Sequence, residues 1–87
     1  MNNYIVTIRK QALKELERLP KKDNRQISKA IDELSVNPRP GGNKKLKGET
    51  EYIWRIRVGN YRVLYTIEDR IKIVEVRKVG HRKNIYI

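Results

Sequence analysis

Three arginines lie in a predicted β-hairpin, at positions from which they could bind one phosphate group together. The period-two pattern of residues 52–58 and 61–67 places Arg55, Arg57 and Arg62 on the same face of a sheet. Crowded guanidinium groups repel one another, whereas their planar forks match the oxygens of a phosphate. The hairpin therefore predicts a surface for a polyanion. The alternative is a solvated face that only discourages edge pairing.

The carboxyl-terminal tail, residues 80–87, contains further groups that can act on a nucleic acid. His81 is the single histidine of the chain, and Arg82 and Tyr86 follow it within five residues. Histidine exchanges protons near neutral pH, and tyrosine can stack on a base. We expect this short tail to fold back over the arginine face. A solvated histidine and a tyrosine that only anchors the tail are the alternatives.

The charge balance also points to a polyanionic partner. Lysine and arginine number 21 against 10 acidic residues, which gives a net charge of +11 on 87 residues. Such an excess favours nucleic acid, because phosphates neutralised by basic side chains release counterions. The alternative is a basic surface that keeps a small protein in solution.

The residue types that are missing narrow the classes of protein further. There is no cysteine, which argues against disulfides and fits a reducing cytoplasm. No carboxylate cluster marks a magnesium site, so we expect no metal and no cofactor. No apolar run reaches the roughly 20 residues of a membrane span, and the amino terminus has no signal-peptide pattern. We therefore expect a cytoplasmic protein with no membrane partner.

The pattern of apolar residues predicts one domain, residues 1–87, of the α+β class. Residues 4–8 form a first strand, and a helix with apolar positions 12, 13, 16 and 19 ends at Pro20. A second helix begins with a capping box of Asp23 and Gln26 and carries apolar residues at positions 27, 30, 31 and 34. After a loop at residues 37–43, three strands follow, at residues 52–58, 61–67 and 71–79. The predicted order is β-α-α-β-β-β, an antiparallel sheet with a two-helix hairpin packed on one face.

Two segments resemble the RelE/ParE toxin superfamily, on its RelE side. They are residues 54–65, WRIRVGNYRVLY, and residues 79–86, VGHRKNIY. Residues 45–48 and 12–16 are also similar to that family, and the similar blocks occur in the family's order. The resemblance implies a toxin of a type II toxin–antitoxin system that cleaves mRNA on the ribosome without metal. It also implies a cognate antitoxin, through which the complex would bind operator DNA.

The resemblance implies a role for several residues. Arg62 matches the arginine that stabilises transition-state charge, Arg82 the arginine near the leaving group, and Tyr86 the tyrosine that orients or stacks on the substrate. Arg55 lies where some relatives have a catalytic lysine, and Ile53 replaces a second lysine. We further expect RNA contacts from five basic residues, namely Arg57, Lys44, Lys45, Lys47 and Lys83.

The general base is not assigned by this comparison. Arginine stays protonated at ordinary pH, so Arg55 is a poor base. His81, whose reference pKa is near neutral, is one candidate catalytic base, and Lys47 is another. RNA and the ribosome are a third source.

Three functions are compatible with the sequence. The first is a ribosome-dependent endoribonuclease, favoured by the combination of Arg55, Arg62, Arg82 and Tyr86. The second is a ParE-like inhibitor of DNA gyrase that cuts no RNA and would not need that combination. The third is a basic RNA-binding module without catalysis, for which the arginine face alone would suffice.

Overall fold

A computed structural model describes residues 3–48 and 50–85 of the chain. Tyr86, to which the resemblance assigns a role, lies outside the described residues. The described elements follow in the order β1 (Ile5–Ile8), α1 (Lys10–Glu17), α2 (Lys21–Glu33), β2 (Lys44–Lys47), β3 (Tyr52–Val58), β4 (Tyr61–Glu68) and β5 (Ile73–His81).

The two helices form where their apolar residues recur at helical spacing. α1 buries Ala12 and Leu16, and α2 buries Ile27 and Ile31. The predicted capping box is wrong, because α2 begins at Lys21 directly after Pro20 and no side chain caps it. Pro20 is the N-cap residue, and its carbonyl accepts a hydrogen bond from the backbone N–H of Asn24 at 2.9 Å.

The strands form one sheet in the order β1-β5-β4-β3-β2. β1 pairs with β5 in parallel, and the other three pairs are antiparallel. The α+β class and the helix hairpin on one face are confirmed. The sheet is mixed rather than entirely antiparallel, and β2 is a strand that the sequence did not predict.

The register of the β3–β4 hairpin decides which side chains face the helices. Pairs such as Ile56 with Val63 face the core, where they pack with the buried residues of α1 and α2. Arg57 and Arg62 form the neighbouring pair and face the other side of the sheet. The hairpin turn begins at Gly59, whose φ of 60° favours glycine.

A bulge in β5 keeps its apolar residues on the core side. Leu64 lies opposite Lys78, but Tyr65 lies opposite Val76, so one extra residue is inserted in β5. The backbone N–H of Val79 donates to the carboxylate of Glu15 at 3.1 Å, which ties α1 to this part of β5.

β5 also continues further than the sequence predicted. It runs from Ile73 to His81 rather than from residue 71 to residue 79. Within the described residues, no helix is both long enough and apolar enough to cross a membrane.

Candidate functional site

Arg55, Arg57 and Arg62, which we call the arginine cluster, lie together on the sheet face opposite the helices. Arg57 is directly opposite Arg62, and Arg55 follows two residues before Arg57 on β3. The pKa of Arg55 is lowered, first by burial and then by the positive charges of Arg57 and Arg62. The cluster is therefore a site of concentrated positive charge, as the sequence predicted.

The acidic residues of the described ion pairs bind basic residues outside the arginine cluster. Glu75 contacts Arg9 at 3.2 Å and Arg77 at 2.6 Å, and Asp69 contacts Arg39 at 2.9 Å. The remaining described ion pair joins Arg77 to Glu51 at 2.9 Å. In residues 3–48 and 50–85, none of these ion pairs includes a member of the arginine cluster.

Two donors of the arginine cluster are buried without a partner. The Nε atoms of Arg55 and Arg62 are shielded from solvent, and no described atom accepts a hydrogen bond from them. A buried, unsatisfied N–H of a charged group is costly and uncommon in folded proteins. A phosphate placed over the cluster would accept from the guanidinium N–H groups that face solvent and offset the repulsion between the guanidinium groups.

The described end of the tail folds back over the arginine face at Ile85. Gly80 lies opposite Arg62, and a Cβ at Gly80 would be 3.7 Å from the Cβ of Ile85. Ile85 is buried, with 6% of its surface exposed, in a segment otherwise rich in polar residues. The backbone N–H of Arg82 donates to the carbonyl of Asn60 at 2.9 Å. Arg82 is therefore held beside the hairpin turn.

His81 is not brought together with the arginine cluster. It lies opposite Tyr61, one residue beyond the Gly80–Arg62 pair, so its side chain takes the helix side of the sheet. Its ring meets that of Tyr61 edge to face, with centroids 5.8 Å apart, and the Tyr61 hydroxyl donates to Asp23. Its Nδ1 accepts a hydrogen bond from the backbone N–H of Lys83.

The predicted lysines divide between the two faces of edge strand β2. Lys44 lies opposite Arg55 and joins the arginine face. Lys45 lies opposite Trp54 and Lys47 opposite Tyr52, which places both lysines on the helix side of the sheet. Lys83 is exposed in the turn that follows β5.

The sequence did not predict that buried apolar side chains adjoin the arginine cluster. Leu64 shares the arginine face and is buried at 4% exposure, and Ile85 covers the neighbouring Gly80. Lys78, opposite Leu64, is a further basic residue on this face. The signal available in the sequence was the apolar residue Ile85, which follows the polar stretch 81–84.

An open cleft of about 420 Å³ adjoins the cluster at the part of β3 that β2 does not cover. It lies between β3, the end of α2 and the loop before β2, and Arg55 and Arg57 line it. In the described part of the chain, no group of three or more histidine, cysteine or acidic side chains lies close enough together to hold a metal ion.

Comparison with known proteins identifies the family of this site. The family described as ParE toxin of the type II toxin–antitoxin system, parDE, matches residues 6–86. The chain belongs to the RelE/ParE family of toxins. A toxin named RelE3 from Methanocaldococcus jannaschii is 38% identical over 85 residues, which cover 93% of each chain.

Solved structures of this family share the fold. A crystal structure of an archaeal RelE–RelB complex from Pyrococcus horikoshii has a TM-score of 0.82 at 32% identity and covers 98% of this chain and 100% of that chain. The isolated RelE toxin of Escherichia coli has a TM-score of 0.75 at 30% identity, over 90% of this chain and 83% of that chain.

Proposed function

We propose that this RelE/ParE toxin is an endoribonuclease that cleaves mRNA on the ribosome. The observation that carries the proposal is the arginine cluster, which forms no ion pair with a described acidic residue and lies next to the folded-back tail. Guanidinium N–H donors suit the three non-bridging oxygens of a phosphate in its transition state. The names of the similar toxins, which are RelE names, support the same activity.

In the proposed reaction, the 2′-OH of the RNA attacks the adjacent phosphorus. The new bond joins O2′ to phosphorus and the P–O5′ bond breaks, which yields a 2′,3′-cyclic phosphate and a free 5′-OH. The proton of the 2′-OH leaves during attack, and the departing O5′ gains a proton. Because the nucleophile belongs to the substrate, this chemistry requires no metal-bound water.

The proposed residue roles are those that the family resemblance implies. Arg62 stabilises the additional negative charge, and Arg55 and Arg57 hold the phosphate in line. Arg82, beside the hairpin turn, is proposed to lie near the leaving oxygen, and Tyr86 to stack on the substrate. Lys44, Lys45, Lys47 and Lys83 are proposed to contact the flanking RNA.

The proposed base is supplied by the RNA or the ribosome. Arg55 keeps its proton at ordinary pH even with a lowered pKa. His81 and Lys47, which the sequence offered as bases, both lie on the helix side of the sheet, away from the phosphate. The site would then accelerate cleavage mainly by alignment and charge stabilisation.

We further propose a cognate antitoxin as the protein partner, by analogy with the RelE–RelB complex of Pyrococcus horikoshii. The antitoxin would wrap the toxin and block the site, and the complex would bind operator DNA through the antitoxin. Action on ribosomes would place the protein in the cytoplasm.

Inhibition of DNA gyrase is the second candidate, because the matching family is described by its ParE members. Primer extension on mRNA from an in-vitro translation reaction, run beside a gyrase supercoiling assay, separates the two. We expect new 5′ ends within codons and unchanged supercoiling. Lost supercoiling with intact mRNA would establish the gyrase inhibitor instead.

The Arg62→Ala variant tests the assigned role directly. We expect cleavage to fall by about 100-fold or more, the range for removing one transition-state charge contact, and toxicity on expression to disappear while antitoxin binding remains. Arg70→Ala, in the exposed turn between β4 and β5, is the matched control and should cleave normally. Equal cleavage by the two variants would remove Arg62 from the mechanism.

A further inference from the structure

A second group of side chains that suits a nucleic acid lies at strand β2, on the face of the sheet opposite the arginine cluster. Tyr52 and Trp54 are neighbours on one face of β3, and Tyr52 is 55% exposed. The ammonium of Lys45 lies 4.0 Å from the centroid of the Tyr52 ring and 5.5 Å from that of Trp54. We call Lys45, Tyr52 and Trp54 the aromatic platform.

The sheet opens next to this platform. The β3–β4 register ends at the Trp54–Tyr65 pair, although β3 begins two residues earlier and β4 continues to Glu68. A cleft of about 280 Å³ lies at this fork and is lined by the platform, by Arg39 and by the end of β4. A flat group can therefore reach the rings from the open side.

The charges around the cleft favour a base over a phosphate. Arg39 lies 4.7 Å from the Trp54 ring centroid, but its guanidinium is held by both oxygens of Asp69. Glu68, which belongs to none of the described ion pairs, also lines the cleft, and its carboxylate would repel a phosphate. A nucleobase has no charge and offers N–H donors that carboxylates accept.

Lys45 covers a surface that a base could occupy. A base in place of its ammonium would lie against both rings, and stacking on aromatic rings generally exceeds an exposed cation–π contact in strength. The displaced ammonium would then be available to the phosphate next to that base. Among the ion pairs of residues 3–48 and 50–85, none includes Lys45.

The platform and the arginine cluster are connected by the edge strand between them. Lys44 faces the cluster and Lys45, the next residue, faces the platform. A single strand of RNA that passes round β2 would meet a lysine on each side.

We propose that the aromatic platform binds an unpaired base of single-stranded RNA, round the β2 edge from the phosphate held by the arginine cluster. This inference rests on the RNA-binding part of the proposed function and adds a stacking subsite outside the cluster.

Trp54 is the single tryptophan of the chain, so its fluorescence reports on this site directly. The titration uses an oligoribonucleotide with 2′-O-methyl riboses, which cannot be cleaved, and an abasic oligomer of equal length and charge. We expect saturable quenching by the first and little by the second. Equal quenching by both would show an effect of charge alone and overturn the platform.

Variants separate stacking from attraction between charges. Tyr52→Ala should weaken binding of the base-bearing oligomer about tenfold, whereas Tyr52→Phe should bind normally. Lys45→Gln should weaken binding more than Lys29→Gln, which removes the same charge from an exposed position on α2. Unchanged affinity in Tyr52→Ala would overturn the proposal. Because Tyr52 is largely exposed, we expect this variant to fold, and circular dichroism would verify that it does.

The same titration distinguishes this proposal from the nuclease. Arg62→Ala should lose mRNA cleavage but keep quenching by the base-bearing oligomer. Quenching without cleavage in the unmodified protein would support base binding at the platform and contradict the nuclease proposal. Cleavage without quenching would retain the nuclease and remove the platform, and quenching by an acidic peptide instead of RNA would assign the cleft to a protein partner.

Discussion

Arg57 and Arg62 face each other directly across the β3–β4 hairpin, and neither forms an ion pair with a described acidic residue. Like charges at opposed positions of a sheet destabilise it. The fold therefore holds an unfavourable pair in place at the site where an anion is proposed to bind.

Arg57→Gln should consequently stabilise the protein. We expect the free energy of unfolding to rise by up to about 1 kcal/mol at low ionic strength, and the gain to shrink at high salt, which screens exposed charges. Urea unfolding at two salt concentrations measures both. Arg70→Gln removes one charge far from the pair and should not raise the free energy of unfolding. A similar rise in this variant would show that the effect comes from the lower net charge.

Ile85→Ala tests whether the folded-back tail supports the site. Removing this buried side chain should lower the free energy of unfolding by about 2 kcal/mol, at the low end for a buried isoleucine because the preceding residues 82–84 are exposed. RNA cleavage should fall by more than the loss of folded protein accounts for, because Ile85 would no longer hold the segment that contains Arg82 against the hairpin. Gly80→Ala is the control: its Cβ would make an ordinary contact with Ile85, 3.7 Å away, so cleavage should persist. Full activity in Ile85→Ala would show that the tail's position is unimportant.

Asp69→Asn should change the response of the protein to acid. Hydrogen bonds from Arg39 and, second, from Tyr4 lower the pKa of Asp69 to about 2. A carboxyl whose pKa is lower in the folded state than in the unfolded state stabilises the folded protein at pH values above the unfolded pKa of about 3.9. That contribution is lost as the pH falls towards 2. The variant should be less stable at neutral pH by about 1 kcal/mol at most, because solvent screens an exposed pair. Melting curves of the two proteins should converge near pH 2; a constant gap down to that pH would contradict this role.

Tyr65→Phe should loosen the loop before β2. The buried Tyr65 hydroxyl donates to the Pro38 carbonyl at 2.7 Å, and the variant leaves that carbonyl without this donor, at a cost of about 1–2 kcal/mol. Burial raises the pKa of Tyr65 to about 12. Since the folded state retains this proton, stability should decline between about pH 10 and pH 12 in the unmodified protein. Chemical unfolding between about pH 10 and pH 12 should show a smaller decline in the free energy of unfolding for the variant than for the unmodified protein. An identical decline in both proteins would show that other groups cause it.

The sequence predicted the elements that form their own periodic patterns. α2 was evident from Ile27 and Ile31, and the arginine cluster from the alternation of two strands joined at Gly59. β2 was missed because three of its four residues are lysines. Its extended conformation comes from pairing with β3, not from an apolar pattern of its own.

The site features that could not be predicted depend on register. The parallel β1–β5 pair joins residues about 70 positions apart, and no local pattern encodes it. The bulge between Leu64 and Tyr65 shifts β5 against β4 without a glycine to mark it. β5 also extends to His81, and that extension sends the histidine to the helix side. The sequence, with the strand ending at residue 79, had no means to assign its face.

The pairing of β1 with β5 gives this toxin a fixed order of assembly during its own synthesis. The first strand has no neighbour until the last one leaves the ribosome, and α1, which packs chiefly on β5, must wait with it. A nascent chain that stops before residue 73 lacks the strand on which β1 and α1 pack. Synthesis of the chain through β5 is therefore required before β1 and α1 can take their places in the fold.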